Sequence, residues 1–143
     1  MSETTTDLAV WLLAAIAEDE RVAVEASPGP WTYGDIESVA GGSLYGTDQM
    51  VASILWDNED PRPIRRPIYE SEADANGAHI ARHDPARVLA ECAAKRQIVE
   101  LAWDHFGDPE FAGGMEYAHE QVVAILAQPY RDRPGWRDEW ATT

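Results

Sequence analysis

Two histidines four residues apart, His79 and His83, come closest in this chain to a spacing that does chemistry. On a helix, positions i and i+4 project from one face, which is the spacing of helical metal sites. A zinc protease of the familiar helical kind needs a glutamate directly after the first histidine, and that position is Ile80. A third ligand would have to come from Asp84, from His105, or from Glu116 and His119. Glu116-x-x-His119 is half of a di-iron ligand pattern, which needs the motif twice plus two further carboxylates, and the motif occurs once. His79 and His83 are therefore the metal candidates, but they carry no further ligand signature, and no metal or other cofactor is expected.

The same segment supports two other readings. In the first it is a helix–helix corner. Asp84 is a good N-cap, and Pro85 fits the first helical position, where its missing donor costs nothing. His83 then closes the preceding helix, where an imidazolium interacts favourably with the dipole. Arg82 and Arg87 flank the junction and can pair with acids of the first half. In the second reading, backbone donors at the start of the long helix join His79, Arg82, His83 and Arg87 to hold an anion such as a phosphate or nucleotide, although Pro85 removes one donor. Other catalytic patterns are absent: there is no Gly-x-x-x-x-Gly-Lys-Ser/Thr and no Gly-x-Ser-x-Gly. Cys92 has no activating neighbour in sequence, and acids are too abundant for any pair to be singled out. No catalytic residue is assigned.

The elements that must position this corner read as an α+β fold in a single domain, 1–143: a helix over 6–26, a sheet over 31–69 and a helical part over 71–140. The first helix, capped by Thr6 or Asp7, carries Leu8, Leu12, Ala15, Ile16, Val22 and Ala23 at helical spacing. Ser27-Pro28-Gly29-Pro30 stops it. A small antiparallel sheet of three to four strands follows. Trp31–Tyr33 and Ile36–Val39 are short strands, Gly41-Gly42 and Gly46 mark turns, and Met50–Trp56 is the best strand. Asp57–Pro63 reads as a loop, and Ile64–Tyr69 as an edge strand, since Pro67 cannot donate to a central ladder. Three C-terminal helices complete the fold. The first runs from Ser71 to His83, with Ser71-x-x-Asp74 as a capping-box variant. The second runs from Pro85 to Phe106 with the stripe Val88, Cys92, Val99, Ala102, Trp103 and Phe106. The third runs from Met115 to Ala127 with the stripe Met115, Ala118, Val122 and Leu126. The tail brings Tyr130, Trp136 and Trp140, which read as exposed aromatic contact residues for a partner.

Composition narrows the partners. The formal charge is −15, which argues against direct nucleic-acid binding and against anionic membrane surfaces. The charge is uneven: residues 1–60 carry 12 acids against the single base Arg21. That half is either a solvated face or a surface for something basic. The longest apolar run, Leu8–Ala17, is about half a membrane span and lacks a basic leader. One cysteine, Cys92, precludes an intrachain disulfide and fits a cytoplasmic setting.

Three blocks carry a family resemblance. They are Glu18–Glu20 through Ala26-Ser27-Pro28-Gly29-Pro30-Trp31, then Ala75 through Ala78-His79-Ile80-Ala81-Arg82-His83-Asp84-Pro85-Ala86-Arg87-Val88-Leu89 to Lys95-Arg96, and last Leu126–Tyr130 to Trp136–Trp140. With these the chain resembles an uncharacterised family of small actinobacterial and actinophage proteins. Members of that family carry cysteine pairs between the second and third blocks, whereas this chain has Phe106–Tyr117 there without cysteine, so no metal role carries over. The resemblance implies a phage or prophage setting and no mechanism.

Together these features point to a non-enzymatic acidic interaction protein, an accessory protein acting on a host protein in the host cytoplasm. Two alternatives stand beside it. One is a small-ligand or nucleotide-binding, sponge-like protein built on the corner, acting against host defence. The other is a metal-dependent hydrolase using His79 and His83. Oligomeric state is not encoded in any pattern of the chain.

Overall fold

The computed structural model describes residues 3–35, 41–47, 49–55, 70–104 and 114–142. It is an α+β fold: helix α1 (Glu3–Glu25), strands β1 (Thr32–Asp35), β2 (Gly41–Tyr45) and β3 (Met50–Leu55), then helices α2 (Glu70–Arg82), α3 (Pro85–Asp104) and α4 (Gly114–Ala127). Two short 3-10 turns follow, Gln128–Tyr130 and Asp138–Trp140. The strands and loop expected over Ile36–Val39, Asp57–Pro63 and Ile64–Tyr69 lie outside the described residues. The chain forms two compact units, residues 1–21 with 90–143, and residues 22–89.

Helix α1 begins three residues before the expected cap, at Glu3. The threonines continue the helix, and Glu3 in its first turn is a carboxylate at the positive end of the dipole. The helix gives way at Ala26, whose N–H still reaches Val22 O at 3.2 Å, and the chain then enters Pro28-Gly29-Pro30 with a cis Gly29–Pro30 bond.

In residues 22–89 the three strands pair antiparallel in the order β1-β2-β3. Thr32 faces Tyr45 and Gly34 faces Ser43, while Gly42 faces Ile54 and the register slips between Leu44 and Tyr45. Gly41 and Gly42 do not form the expected turn; they lie inside β2. The reason is Tyr33: a Cβ on Gly42 would collide with its ring, and so would a Cβ on Gly77 of α2. The ring therefore sits against two residues that have no side chain, and its hydroxyl donates to Asp74 Oδ1 at 2.9 Å. Gly77 weakens a helix interior by about 1 kcal/mol relative to alanine, but it is what lets α2 approach the sheet.

In residues 1–21 and 90–143 the buried apolar side chains among the described residues are Leu8, Ala9, Leu12, Ala15 and Ile16 of α1, Cys92 and Val99 of α3, and Val123 and Ala127 of α4, with Tyr130 and Trp140 from the tail. Each large one contributes about 1.5–3 kcal/mol by leaving water. Two expected stripes are corrected. Val22 is exposed while its neighbour Ala23 is buried. Helix α4 buries Val123 and Ala127, and its Ala118 and Val122 face out. Residues 122–127 of α4 are all apolar, so periodicity alone cannot choose its inner face.

Candidate functional site

The His79–Arg87 segment is a helix–helix corner fastened to the Pro-Gly-Pro turn. Helix α2 ends at Arg82 and α3 starts at Pro85. Asp84 between them is only 7% exposed. Its Oδ1 accepts from Arg87 N at 2.8 Å, the N-cap bond that the sequence anticipates, and its Oδ2 accepts from Trp31 N at 2.9 Å. A Cβ on Gly29 would stand 3.0 Å from Asp84 Cγ and from Ala86 Cβ, so glycine allows the turn to lie against the cap. Trp31 Nε1 donates to Ser27 O at 3.0 Å, and Gln49 Nε2 donates to Ser27 Oγ at 3.1 Å. One carboxylate thus serves two backbone donors 56 residues apart in sequence.

The four candidate ligand residues occupy the outside of this corner. His79, Arg82, His83 and Arg87 are all exposed. The two imidazoles are neighbours, with centroids 4.4 Å apart and planes inclined by 40°. His83 Nδ1 lies 2.9 Å from His79 O, which can only accept, so the contact is a hydrogen bond in the tautomer that carries its proton on Nδ1. Arg87 Nη1 donates to Arg82 O at 3.2 Å, capping a carbonyl at the end of α2. Among the described residues, no group of three or more His, Cys, Asp or Glu side chains is placed to hold a metal ion.

The aromatic tail differs from the expectation of an exposed surface. Tyr130 and Trp140 are buried, and Trp136 is half-buried. Trp136 and Trp140 form a cluster with Trp11 of α1, at centroid distances of 5.4–5.7 Å. Trp11 Nε1 donates to Pro134 O at 3.0 Å, and Gly135, with φ +87°, makes the close turn beside it. Arginines and a lysine then pack on the rings: Arg133 and Lys95 over Tyr130, and Arg137 over Trp140. Lys95 Nζ also donates to the Tyr130 hydroxyl at 3.0 Å. Burial pushes the Tyr130 phenol up more strongly than the Lys95 contact pulls it down. Burial also pushes up the Cys92 thiol, which is 1% exposed, with Asp19 adding to the effect. Burial opposes the Lys95 charge, but the Tyr130 hydrogen bond and nearby charges outweigh it and hold the ammonium above its usual range. Cys92 is thus an inert core thiol.

Acids of the first half that the structure describes are paired with four other arginines. Arg21 binds Glu18, Arg96 binds Glu20, Arg133 binds Asp19 and Ala15 O, and Arg137 binds Asp7.

A feature that sequence reasoning missed is a cleft of about 370 Å³ within residues 1–21 and 90–143. Its walls are the first turns of α1 (Thr4, Thr5, Leu8), one side of α4 (Tyr117, Glu120, Gln121, Ala124) and the tail around Glu139 and Trp140. The i, i+4, i+7 spacing of Tyr117, Gln121 and Ala124 was visible in sequence, but the tail that closes the cleft was not.

Fold and composition define a small acidic α+β protein in which, among the described residues, Arg21, Arg96, Arg133 and Arg137 pair with acids of α1 and Lys95 packs on the Tyr130 ring. The chain belongs to a family of unknown function, DUF6221, whose model matches residues 5–142. No curated protein and no solved structure matches it significantly. Among the described residues no helix is long and apolar enough to cross a membrane.

Proposed function

We propose that this protein is a non-enzymatic, acidic interaction protein that docks on a basic surface of another protein. The observation that supports this most is the use of its arginines. The chain has 26 acids against 11 bases. Arg21, Arg96, Arg133 and Arg137 are each committed to a carboxylate of α1, which leaves the negative excess to the rest of the surface. Such a field steers a cationic partner and disfavours nucleic acid. The phage or prophage accessory role and the host cytoplasm as its place rest on the family resemblance.

The test is affinity capture from host lysate at native expression, followed by calorimetry with the purified partner. Expected is one partner with a basic face, binding saturably and weakening steeply between low and high salt. Absence of any saturable partner overturns the reading.

A second reading has its own observation: His79, Arg82, His83 and Arg87 share one exposed corner, so a phosphate-bearing ligand such as a nucleotide has four positive or protonatable groups within one helix junction. Calorimetry against a nucleotide panel tests it, with binding expected to drop in Arg82→Ala; no heat with any nucleotide removes it.

A further inference from the structure

We propose that the cleft between the first turns of α1, α4 and the C-terminal tail seats an arginine-bearing, partly apolar peptide segment of the partner. This rests on the reading of the protein as an acidic interaction protein and assigns that interaction to a place.

The lining sets the chemistry. Two carboxylates, Glu120 and Glu139, border the cleft, together with the hydroxyls of Thr4, Thr5 and Thr142, and no lysine or arginine is among its lining residues that the structure describes. Arg137 Nη1 approaches Glu139 Oε1 only to 3.7 Å, on an exposed pair, which leaves that carboxylate with acceptor capacity. Glu139 therefore offers a hydrogen-bond acceptor, and the two carboxylates together give the cleft a negative lining, the complement of a guanidinium with its five donors.

Two further observations point to an occupant. Tyr117 is 65% exposed at the cleft, so a ring face stands ready to stack on a guanidinium or an aliphatic side chain. Ile125, two turns further along α4, is also exposed, which extends the face with an apolar contact. Trp140 lines the cleft although it is 4% exposed, and its Nε1–H is buried without a hydrogen-bond partner among the described residues. A buried indole N–H normally finds an acceptor, and a backbone carbonyl of a bound segment would supply one after a small shift. Charge, an open aromatic face and an unsatisfied donor thus converge on one cleft whose size lies in the range of ligand sites. Arginine is favoured over lysine because a planar fork can meet a carboxylate in two bonds and stack on a ring at once.

The probe is a fluorescein-labelled nine-residue peptide of alternating arginine and leucine, read by anisotropy, with lysine–leucine and glutamate–leucine peptides beside it. The arginine peptide is expected to bind saturably and more tightly than the lysine peptide, and the glutamate peptide not at all. The double variant Glu120→Gln/Glu139→Gln should weaken binding about 10-fold or more, the scale of a lost charge-assisted hydrogen bond. Tyr117→Ala should weaken it about 3-fold, the scale of an exposed ring–cation contact. Glu91→Gln/Glu100→Gln on α3 removes the same charge away from the cleft and should change binding less than 2-fold, about the effect of a screened surface charge. Circular dichroism confirms that each variant is folded. Equal weakening by both double variants, or no binding of the arginine peptide, overturns the assignment. If the captured partner binds the Glu120/Glu139 variant as well as it binds the unaltered chain, the cleft is wrong while the acidic-interaction reading stands.

Discussion

Residues 22–89 and the unit made of 1–21 and 90–143 each fasten a turn of irregular chain to a helix, but with different forces. In the first, one carboxylate, Asp84, accepts from two backbone N–H groups, and the Tyr33 ring fills the space left by two glycines. In the second, the tail is held by long cationic side chains: Arg133 joins Asp19, Ala15 O and the Tyr130 ring, and Arg137 joins Asp7 and the Trp140 ring. Backbone-directed and steric fastenings concentrate their worth in one or two atoms. Guanidinium fastenings divide it among many partly exposed contacts, each screened by water.

The comparison can be broken most sharply at Asp84. Asp84→Ala removes an N-cap, costing about 1 kcal/mol, and strands the part-buried Trp31 N–H, costing about 1–3 more. Urea unfolding should therefore show a loss of about 2–4 kcal/mol, and Asp84→Asn, which keeps only one good acceptor, should fall between. Gly77→Ala comes next. Overpacking against Tyr33 should cost about 1–3 kcal/mol even though alanine is the better helix former, and a neutral or stabilising result would show that the ring moves freely aside.

Arg133→Met tests the other unit. Its contacts are partly exposed, so a loss of about 1 kcal/mol is expected, with a coupling to Asp19→Asn of similar size in a double-mutant cycle. A loss as large as that of Asp84→Ala would erase the contrast. Alkaline pH supplies a gentler probe. Cys92, Lys95 and Tyr130 all hold their protons more tightly in the folded chain than an unfolded chain would. The folded state then binds more protons above about pH 9, so stability is intact at neutral pH and falls as pH rises through that range. Thermal unfolding followed from pH 7 to 11 should show this, and Tyr130→Phe should flatten the slope. Least affected should be Arg137→Ala, about 0–1 kcal/mol, because both it and Asp7 are about half exposed.

How much of this was legible follows the same division. The α+β order, the Asp84 cap and Pro85 at the first position of α3 can be read locally, because a cap is decided by residues three apart. The partner of the cap's second oxygen, Trp31, is 53 residues away, and no periodicity reports it. Gly41-Gly42 reads as a turn because glycine usually marks one, whereas both lie in β2 and Gly42 is left bare for the Tyr33 ring. The inner face of α4 is not legible because residues 122–127 are apolar all round, and neither is the burial of the tail, because nothing local tells that Trp11 receives it.

The candidate corner divides likewise. Sequence placed His79, Arg82, His83 and Arg87 together, since one helix turn and a capped junction bring such residues to one place, and the structure leaves all four exposed there. The cleft with Glu120, Glu139 and Trp140 joins residues from both ends of the chain. By itself the sequence determined what local physics determines: which segments are helical or extended, where they stop, and the excess of negative charge. Tertiary structure alone decided which arginine meets which acid, which aromatic ring is buried and which face of α4 stays open. Those outcomes depend on contacts between residues more than a hundred positions apart, such as Arg133 with Ala15 and Trp11 with Pro134, and local propensity carries no information about them.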